Sequence, residues 1–267
     1  MKAALRSLLN RFPRLKAEFK RLRKLLGQQG GVSSNYVLMK AEEAVSEAVR
    51  LRDAWQSNAL PHRQRELVNG QLAAYRNGES IDVFDVMIQA LRVLPTNVCG
   101  MSVLEVGCSS GFYSEVFEIA GLAVSYVGCD YSEAFIGLAR QKYPTLRFDV
   151  EDATALKYAE SVFDIVISGC CLLHIPEYEA AVAETARVAR RYVIFHRTPV
   201  VLGQPNVYYR KQAYGVETME IHFNEPQFLE LLARQGLELI AIYTLDESVR
   251  GGVGSANRTY VCKKVGS

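Results

Sequence analysis

Hydrophobic and polar positions change rhythm near residue 100. Before it, apolar residues recur at spacings of three and four, the period of a helix burying one face. Residues 37–56 and 62–76 carry this pattern, split by the break "SNALP". "GESIDVFDVMIQALRVLP" (78–95) predicts a third helix, stopped by Pro95. After residue 100, short apolar runs alternate with helical stretches. The runs are SVLEVG (102–107), VSYVGCD (124–130), LRFDV (146–150), FDIVISGCCLL (163–173) and YVIFHR (192–197). Helical patterns follow the first from about 112, the second in EAFIGLARQKY and the fourth in EYEAAVAETARVARR. Alternation of this kind predicts a parallel sheet with helices on both faces.

The end of the chain differs. PQFLELLARQG (226–236) reads as a helix, LELIAIYTL (237–245) as a strand, and RTYVCKK (258–264) as a last strand after the loop DESVRGGVGSAN. Two strands without a helix between them predict a terminal antiparallel hairpin. The expected fold is therefore α/β: a doubly wound, mostly parallel seven-stranded sheet with a terminal hairpin and an N-terminal helical extension. Three regions are expected: an arm at 1–30, a helical cap at 31–98, and a ligand-binding domain at 99–267.

Within the arm, Leu5, Leu8, Phe12, Leu15, Phe19, Leu22 and Leu26 form an amphipathic stripe interrupted near Pro13. Residues 1–26 hold nine basic side chains against Glu18 alone, a net +8, so with the whole chain at +2 the remainder carries −6. Four readings stay open for the arm: packing on the body, lying on an anionic membrane surface, pairing with a partner helix, or binding nucleic acid. Charges run through the region where a secretory signal needs an uninterrupted apolar core. "GQQGGVSSN" (27–35) reads as a linker or loop.

With 267 residues and 49% of them hydrophobic, the chain can bury one sizeable core. No apolar run approaches the roughly 20 residues of a membrane-spanning helix. The six cysteines make no Cys-x-x-Cys pair and no metal-ligand spacing with histidine, so reduced, packed thiols in a cytoplasmic protein are expected, and no metal.

Candidate chemistry centres on the first strand and the loop after it, Glu105-Val-Gly107-Cys-Ser109-Ser-Gly111. Ligands of open α/β sheets bind beyond the carboxyl ends of the strands. Glycines there permit positive φ and close approach of a ligand to the backbone. A dinucleotide fingerprint starting at Gly107 would need glycine at 109 and 112, where the chain has Ser109 and Phe112, and no phosphate loop with GK[ST] exists. Glu105 in the loop mouth suits a cationic amino group better than a pyrophosphate. Asp130, ending the second strand, stands where a carboxylate accepts ribose hydroxyls.

These residues resemble class I S-adenosylmethionine-dependent methyltransferases, well over 100–200 and more loosely over 200–264. The family's acid-x-Gly-x-x-x-Gly motif stands as Glu105 to Gly111, with Ser109 at its usual middle glycine. Asp130 is the second-strand acid, "VEDATAL" the third motif and "FDIVISGCCLLHI" the fourth. The resemblance implies S-adenosylmethionine as cofactor. Glu105, Gly107, Ser109 and Gly111 would hold its methionine part, Asp130 its ribose, and Tyr131, Asp152 and Ala153 its adenine. Methyl transfer from a sulfonium needs positioning and desolvation, and a base if the acceptor is a hydroxyl.

For the acceptor, His174 after the fourth strand and His196 at the end of the fifth are the candidate catalytic residues. A structural or adenosine-wall role competes for His174. Arg197, Tyr208, Tyr209, Arg210 and His222 are candidate acceptor contacts. The insert GQPNVYYRKQAYG (203–215) reads either as an acceptor-binding cluster or as an amphipathic lid, and His222 either touches the acceptor or braces a turn capped by Asn224. No nucleic acid is expected, because the body is acidic and the signature of base-amino methylation is missing after the fourth strand.

The arm, "HRTP" and "HFNEPQFLELL" resemble bacterial surface-glycan methyltransferases. That implies O-methylation of a sugar or glycan precursor, with the arm at the inner membrane face. Methylation of a soluble secondary metabolite and a non-catalytic binding module are the alternatives.

Overall fold

The structure is a computed structural model that describes residues 33–250 and 252–266. The chain divides into two compact units, Met1–Ser34 and Asn35–Ser267, and of the first only Ser33 and Ser34 are described. The amphipathic stripe from Leu5 to Leu26, its charge and the membrane association expected of residues 1–26 lie outside the described residues.

Every strand expected after residue 100 is present. Strands β2 (Ser102–Val106), β3 (Ser125–Asp130), β4 (Arg147–Val150), β5 (Phe163–Gly169) and β6 (Ala189–Val201) pair in parallel, in the order β4-β3-β2-β5-β6. Strands β9 (Leu237–Arg250) and β10 (Val253–Lys264) form the terminal hairpin, and β10 lies antiparallel to β6. The hairpin is longer than its sequence implies. Ladder pairing runs through the Gly- and Ser-rich stretch taken as a loop, out to Val253 opposite Arg250.

These seven strands carry the alternation of a sheet buried on both faces. Val103, Ile165, Ile167, Tyr192, Ile194 and Val261 enter one core. Their neighbours Leu104, Val106, Val166, Val193, Phe195 and Tyr260 enter the other.

Helices α1 (Ala41–Asp53), α2 (Leu60–Arg76) and α3 (Asp82–Arg92) precede the sheet; α4 (Tyr113–Ile119), α5 (Glu133–Lys142), α6 (Tyr178–Val188) and α7 (Glu225–Arg234) are interleaved with it. Helix α3 places Phe84, Met87, Ile88 and Leu91, one helical stripe, in the first of these cores. Fully burying a side chain of that size contributes about 1.5–3 kcal/mol. A buried polar knot fixes α2. Arg65 donates to Tyr143 (2.9 Å) and meets Glu115 at 3.3 Å, and Tyr143 donates to Glu115 at 2.6 Å.

The count of seven strands needs correction, because the sheet has ten. Strand β1 (Ser33–Met39) occupies the end of the expected linker and the start of the first expected helix. The insert after β6 takes the form of two strands. Val207–Ala213 (β7) and Val216–Asn224 (β8) form an antiparallel hairpin turning through Tyr214 (φ 49°) and Gly215 (φ 81°). Two positive φ values in a two-residue loop make the turn whose twist matches its strands. Met219, Ile221 and Phe223 of β8 face the core, leaving Thr218, Glu220 and His222 on the other face.

Strand β6 joins the two parts. It pairs with β5 as far as Gly169 opposite His196, and then with β8 at Val200 and Val201. Between these partners, His196 and Arg197 together oppose Thr259 in a β-bulge, with Arg197 at φ 58°.

Candidate functional site

The loop after β2 adopts its shape for reasons local to the chain. Gly107 (φ 73°) and Gly111 (φ 72°) take the left-handed region. The space their missing side chains leave is filled by the protein itself. A Cβ on Gly107 would meet the Cys171 Cβ at 2.3 Å, and one on Gly111 would meet the Phe148 ring at 2.5 Å. On the Cβ side of these glycines the room is thus taken by Cys171 and Phe148. Ser109 also sits left-handed, at φ 48°, a conformation glycine adopts more readily.

Asp130 ties this loop to the end of β3. Its carboxylate accepts the Ser109 N–H at 2.9 Å and the Ser132 N–H at 3.0 Å. Burial pushes its pKa up, against those backbone donors. Beside it, the hydroxyls of Ser110 and Ser132 are buried with no hydrogen-bond partner among the described residues.

Glu105 lies wholly buried beneath the loop and accepts from the Tyr126 hydroxyl. Burial pushes its pKa to about 8, opposed by Tyr126 and assisted by the Asp130 charge, so the carboxyl is largely protonated at neutral pH.

Tyr131 and Asp152 line a cleft of about 310 Å³ that also takes Val49, Arg52 and Gln56 from the cap, with Pro176 and Glu177 beyond. Asp152 holds Thr154 through its N–H at 2.9 Å and is ion-paired with Arg52. The Arg52 guanidinium lies 5.0 Å from the centre of the Tyr131 ring, and the Tyr131 hydroxyl donates to the Arg52 carbonyl at 2.7 Å. Ala153, next to Asp152, packs against the core. Arg52 was not foreseen. Its only sequence signal is a basic residue in the last turn of a helix, a common helix-end feature.

The candidate catalytic histidines part company. His196 is buried with both ring nitrogens engaged, Nε2 with the Tyr113 hydroxyl and Nδ1 with the Thr259 hydroxyl, each at 2.9 Å. Burial, with the Arg197 charge, holds its pKa well below the usual value, so it is neutral. His174 ends a short turn after β5 and is half-buried. Its Nδ1 lies 2.5 Å from the Met219 carbonyl, which fixes the proton on Nδ1. Nε2 therefore carries a lone pair and has no hydrogen-bond partner among the described residues. Burial, with the Lys211 and Arg197 charges, lowers the His174 pKa to about 3. Trp55 packs on the His174 ring at 4.6 Å and donates its indole N–H to Thr218 at 2.7 Å.

Beyond His174, the polar face of β7 and β8 is a buried charged cluster. Lys211 pairs with Glu220, and the His222 Nε2 donates to Glu220 at 2.7 Å. Burial raises the Glu220 pKa, but the His222 and Lys211 contacts outweigh it and hold the carboxyl well below its usual range. The His222 Nδ1 is buried without a partner among the described residues, and Tyr209 packs edge-on against the His222 ring. Thus His222 and Tyr209 come together with Lys211 and Glu220.

Tyr208 points to the opposite face and packs against the core, and Arg210 lies among Glu43, Glu47 and Glu217 at 3.6–3.9 Å. Asn224 caps α7, accepting the Gln227 N–H at 2.9 Å. Glu220 was missed as a member of this cluster. The strand alternation of TMEIHF was the available signal for Glu220.

With this geometry in hand, comparison with known proteins gives a consistent result. Residues 104–195, about a third of the chain, match the family described as a methyltransferase domain. A demethylmenaquinone methyltransferase of Renibacterium salmoninarum is 32% identical over 105 residues, 39% of this chain and 42% of that protein. A ubiquinone biosynthesis O-methyltransferase of Rhizobium etli is 34% identical over 95 residues, 34% of this chain and 38% of that protein. The chain thus spans about four tenths of the length of the curated relatives it matches.

Among solved structures, magnesium protoporphyrin IX methyltransferase from Synechocystis with bound SAH superposes with a TM-score of 0.51 at 17% identity. The likeness covers 82% of this chain and 99% of that one, and it concerns the fold. Residues 104–195 thus resemble a methyltransferase domain, and the cofactor these findings support is S-adenosylmethionine.

Proposed function

We propose that the protein transfers a methyl group from S-adenosylmethionine to a hydroxyl of a small polar acceptor, a sugar or glycan precursor. The residues fit the donor on three observations: two orphaned hydroxyls beside Asp130, a protonated carboxyl under the loop, and a cleft flanked by Tyr131 and Asp152. Asp130 would take the ribose, Tyr131 and Asp152 the adenine, and the loop of Gly107, Ser109 and Gly111 the methionine part. Glu105 would ionise when an ammonium group reaches the loop. When bound, the cofactor supplies a methyl group already activated by positive sulfur, so this chain's task is to orient the acceptor, exclude water and take a proton.

The observation that carries the reading is the His174 tautomer. With Nδ1–H held by the Met219 carbonyl, Nε2 is an unprotonated base at the carboxyl end of β5. His196 would then be a positioning residue, holding Tyr113 and Thr259 in the core. The buried cluster of Lys211, Glu220, His222 and Tyr209, with the Trp55 face, offers hydrogen-bond donors, acceptors and a flat apolar wall, which suits a sugar ring. A soluble ring-bearing metabolite is the second reading. It is favoured by the quinone-pathway names of the relatives and by the same Trp55 wall.

The test is to incubate the full chain with methyl-labelled S-adenosylmethionine and a panel of sugars, nucleotide sugars and phenolic metabolites. Label on a sugar hydroxyl supports the first reading, label on a phenol the second. Label on neither, with cofactor bound, contradicts both.

A further inference from the structure

Among the described residues, most half-buried and buried cations meet a carboxylate, and Lys264 instead meets backbone carbonyls. Arg65 faces Glu115, Lys211 faces Glu220, Arg258 faces Glu225 and Arg52 faces Asp152. Arg197 breaks the pattern. No carboxylate lies within ion-pair distance of it among the described residues, and its Nε is buried with no hydrogen-bond partner. The ionisable groups around it are Cys170, Tyr113, Tyr214 and, farther along β9, Asp246. Arg197 is half-buried, and a guanidinium edge taken from water without a counter-charge is costly, so proteins usually pair or coordinate such groups.

The backbone spends conformational energy to hold it there. Arg197 is left-handed (φ 58°) in the β-bulge where β6 leaves β5 for β8. Next to it Cys170 is left-handed as well (φ 60°) and donates its N–H to the His196 carbonyl at 3.1 Å. Two neighbouring non-glycine residues in this region mark a constrained site where β5 ends and β6 leaves it. The charge lies near enough to His174 to help depress its pKa.

We propose that Arg197 is an oxyanion clamp, so that the acceptor carries a carboxylate or phosphate group that the guanidinium holds while His174 faces the hydroxyl. The inference rests on the methyl-transfer reading for the word acceptor, but the anion site itself does not depend on it. An Arg edge presents Nε and one Nη side by side, which matches two oxygens of either anion. A lysine cannot offer that edge.

The test uses inorganic phosphate and acetate as probes on the full chain, at constant ionic strength against chloride, with and without S-adenosylhomocysteine. Wild type is expected to bind at least one probe in the millimolar range, with a rise in Tm and a change in the emission of Trp55, the single tryptophan. Arg197→Gln should weaken that binding at least tenfold, and Arg197→Lys should recover only part. Affinity for S-adenosylhomocysteine should stay within twofold in both variants. Because the cation lacks an internal partner, Arg197→Gln should melt cooperatively at or above the wild-type Tm without probe.

Equal anion binding by wild type and Arg197→Gln, or none by wild type, overturns the clamp. So does a tenfold loss of S-adenosylhomocysteine affinity in Arg197→Gln, which would give the arginine to the methyl donor. Failure of wild type to bind S-adenosylhomocysteine counts against the methyl-transfer reading, while the probe titrations without it still decide the clamp.

Discussion

The backbone N–H of Ser109 donates to Oδ2 of Asp130 across 2.9 Å, so the loop after β2 and the end of β3 are held by one hydrogen bond. The Ser132 N–H completes the clasp at 3.0 Å. Asp130 thus orders the loop before any ligand arrives, which is what a preorganised binding site requires.

The shape of that loop makes a prediction at Ser109. Its φ of 48° is tolerable for serine, free for glycine and strained for a β-branched residue. Ser109→Gly should be neutral or slightly stabilising, and Ser109→Val should cost about 1–2 kcal/mol. Urea denaturation of the two variants checks it, and equal stabilities would show that the loop is not held left-handed.

Glu105 gives a pH signature. Its pKa is about 8 in the folded protein against an ordinary 4.5, so the folded state keeps a proton that the unfolded chain has lost. Stability therefore falls as pH rises from about 4.5 to about 8 and is unaffected by this group above that. Glu105→Gln removes the dependence. The gap between wild type and variant should shift by a few kcal/mol, in order of magnitude, between pH 5 and pH 8. Parallel stability curves over that interval would contradict the assignment.

His174 should behave as a base that never titrates in the working range. With its pKa near 3, it stays neutral between pH 5 and 8 and adds no inflection near 6.5 to the rate. His174→Ala should lower kcat by about 10²–10⁴ and leave S-adenosylhomocysteine affinity within twofold. Loss of that affinity, with kcat spared, would make it a wall of the donor cleft instead.

Much of this was legible in the sequence. The parallel strands were visible because a strand buried on both faces must be apolar throughout, as FDIVISG is. Glu105 and Asp130 stood out because acids at strand ends have few structural reasons to be there, while Tyr131 and Asp152 came with the family resemblance.

The β7–β8 hairpin was hidden by its own chemistry. Lys211 and Glu220 are buried as a pair, so a core-facing strand reads as a polar insert. Only the alternation of Met219, Ile221 and Phe223 betrayed it. Arg52 was out of reach for a different reason, since its partner Asp152 is 100 residues away in the chain, and the partners of Trp55, Thr218 and His174, are farther still. Arg197 was visible as a residue, but its lack of a partner is a fact of three dimensions.

The account rests on Asp130 as the anchor of a nucleoside. Calorimetric titration of the full chain with S-adenosylhomocysteine, comparing wild type with Asp130→Ala, tests it most directly. Wild type should bind with one-to-one stoichiometry, and Asp130→Ala should lose at least a hundredfold in affinity while melting cooperatively. Undiminished affinity in Asp130→Ala, or no binding by wild type, would contradict it.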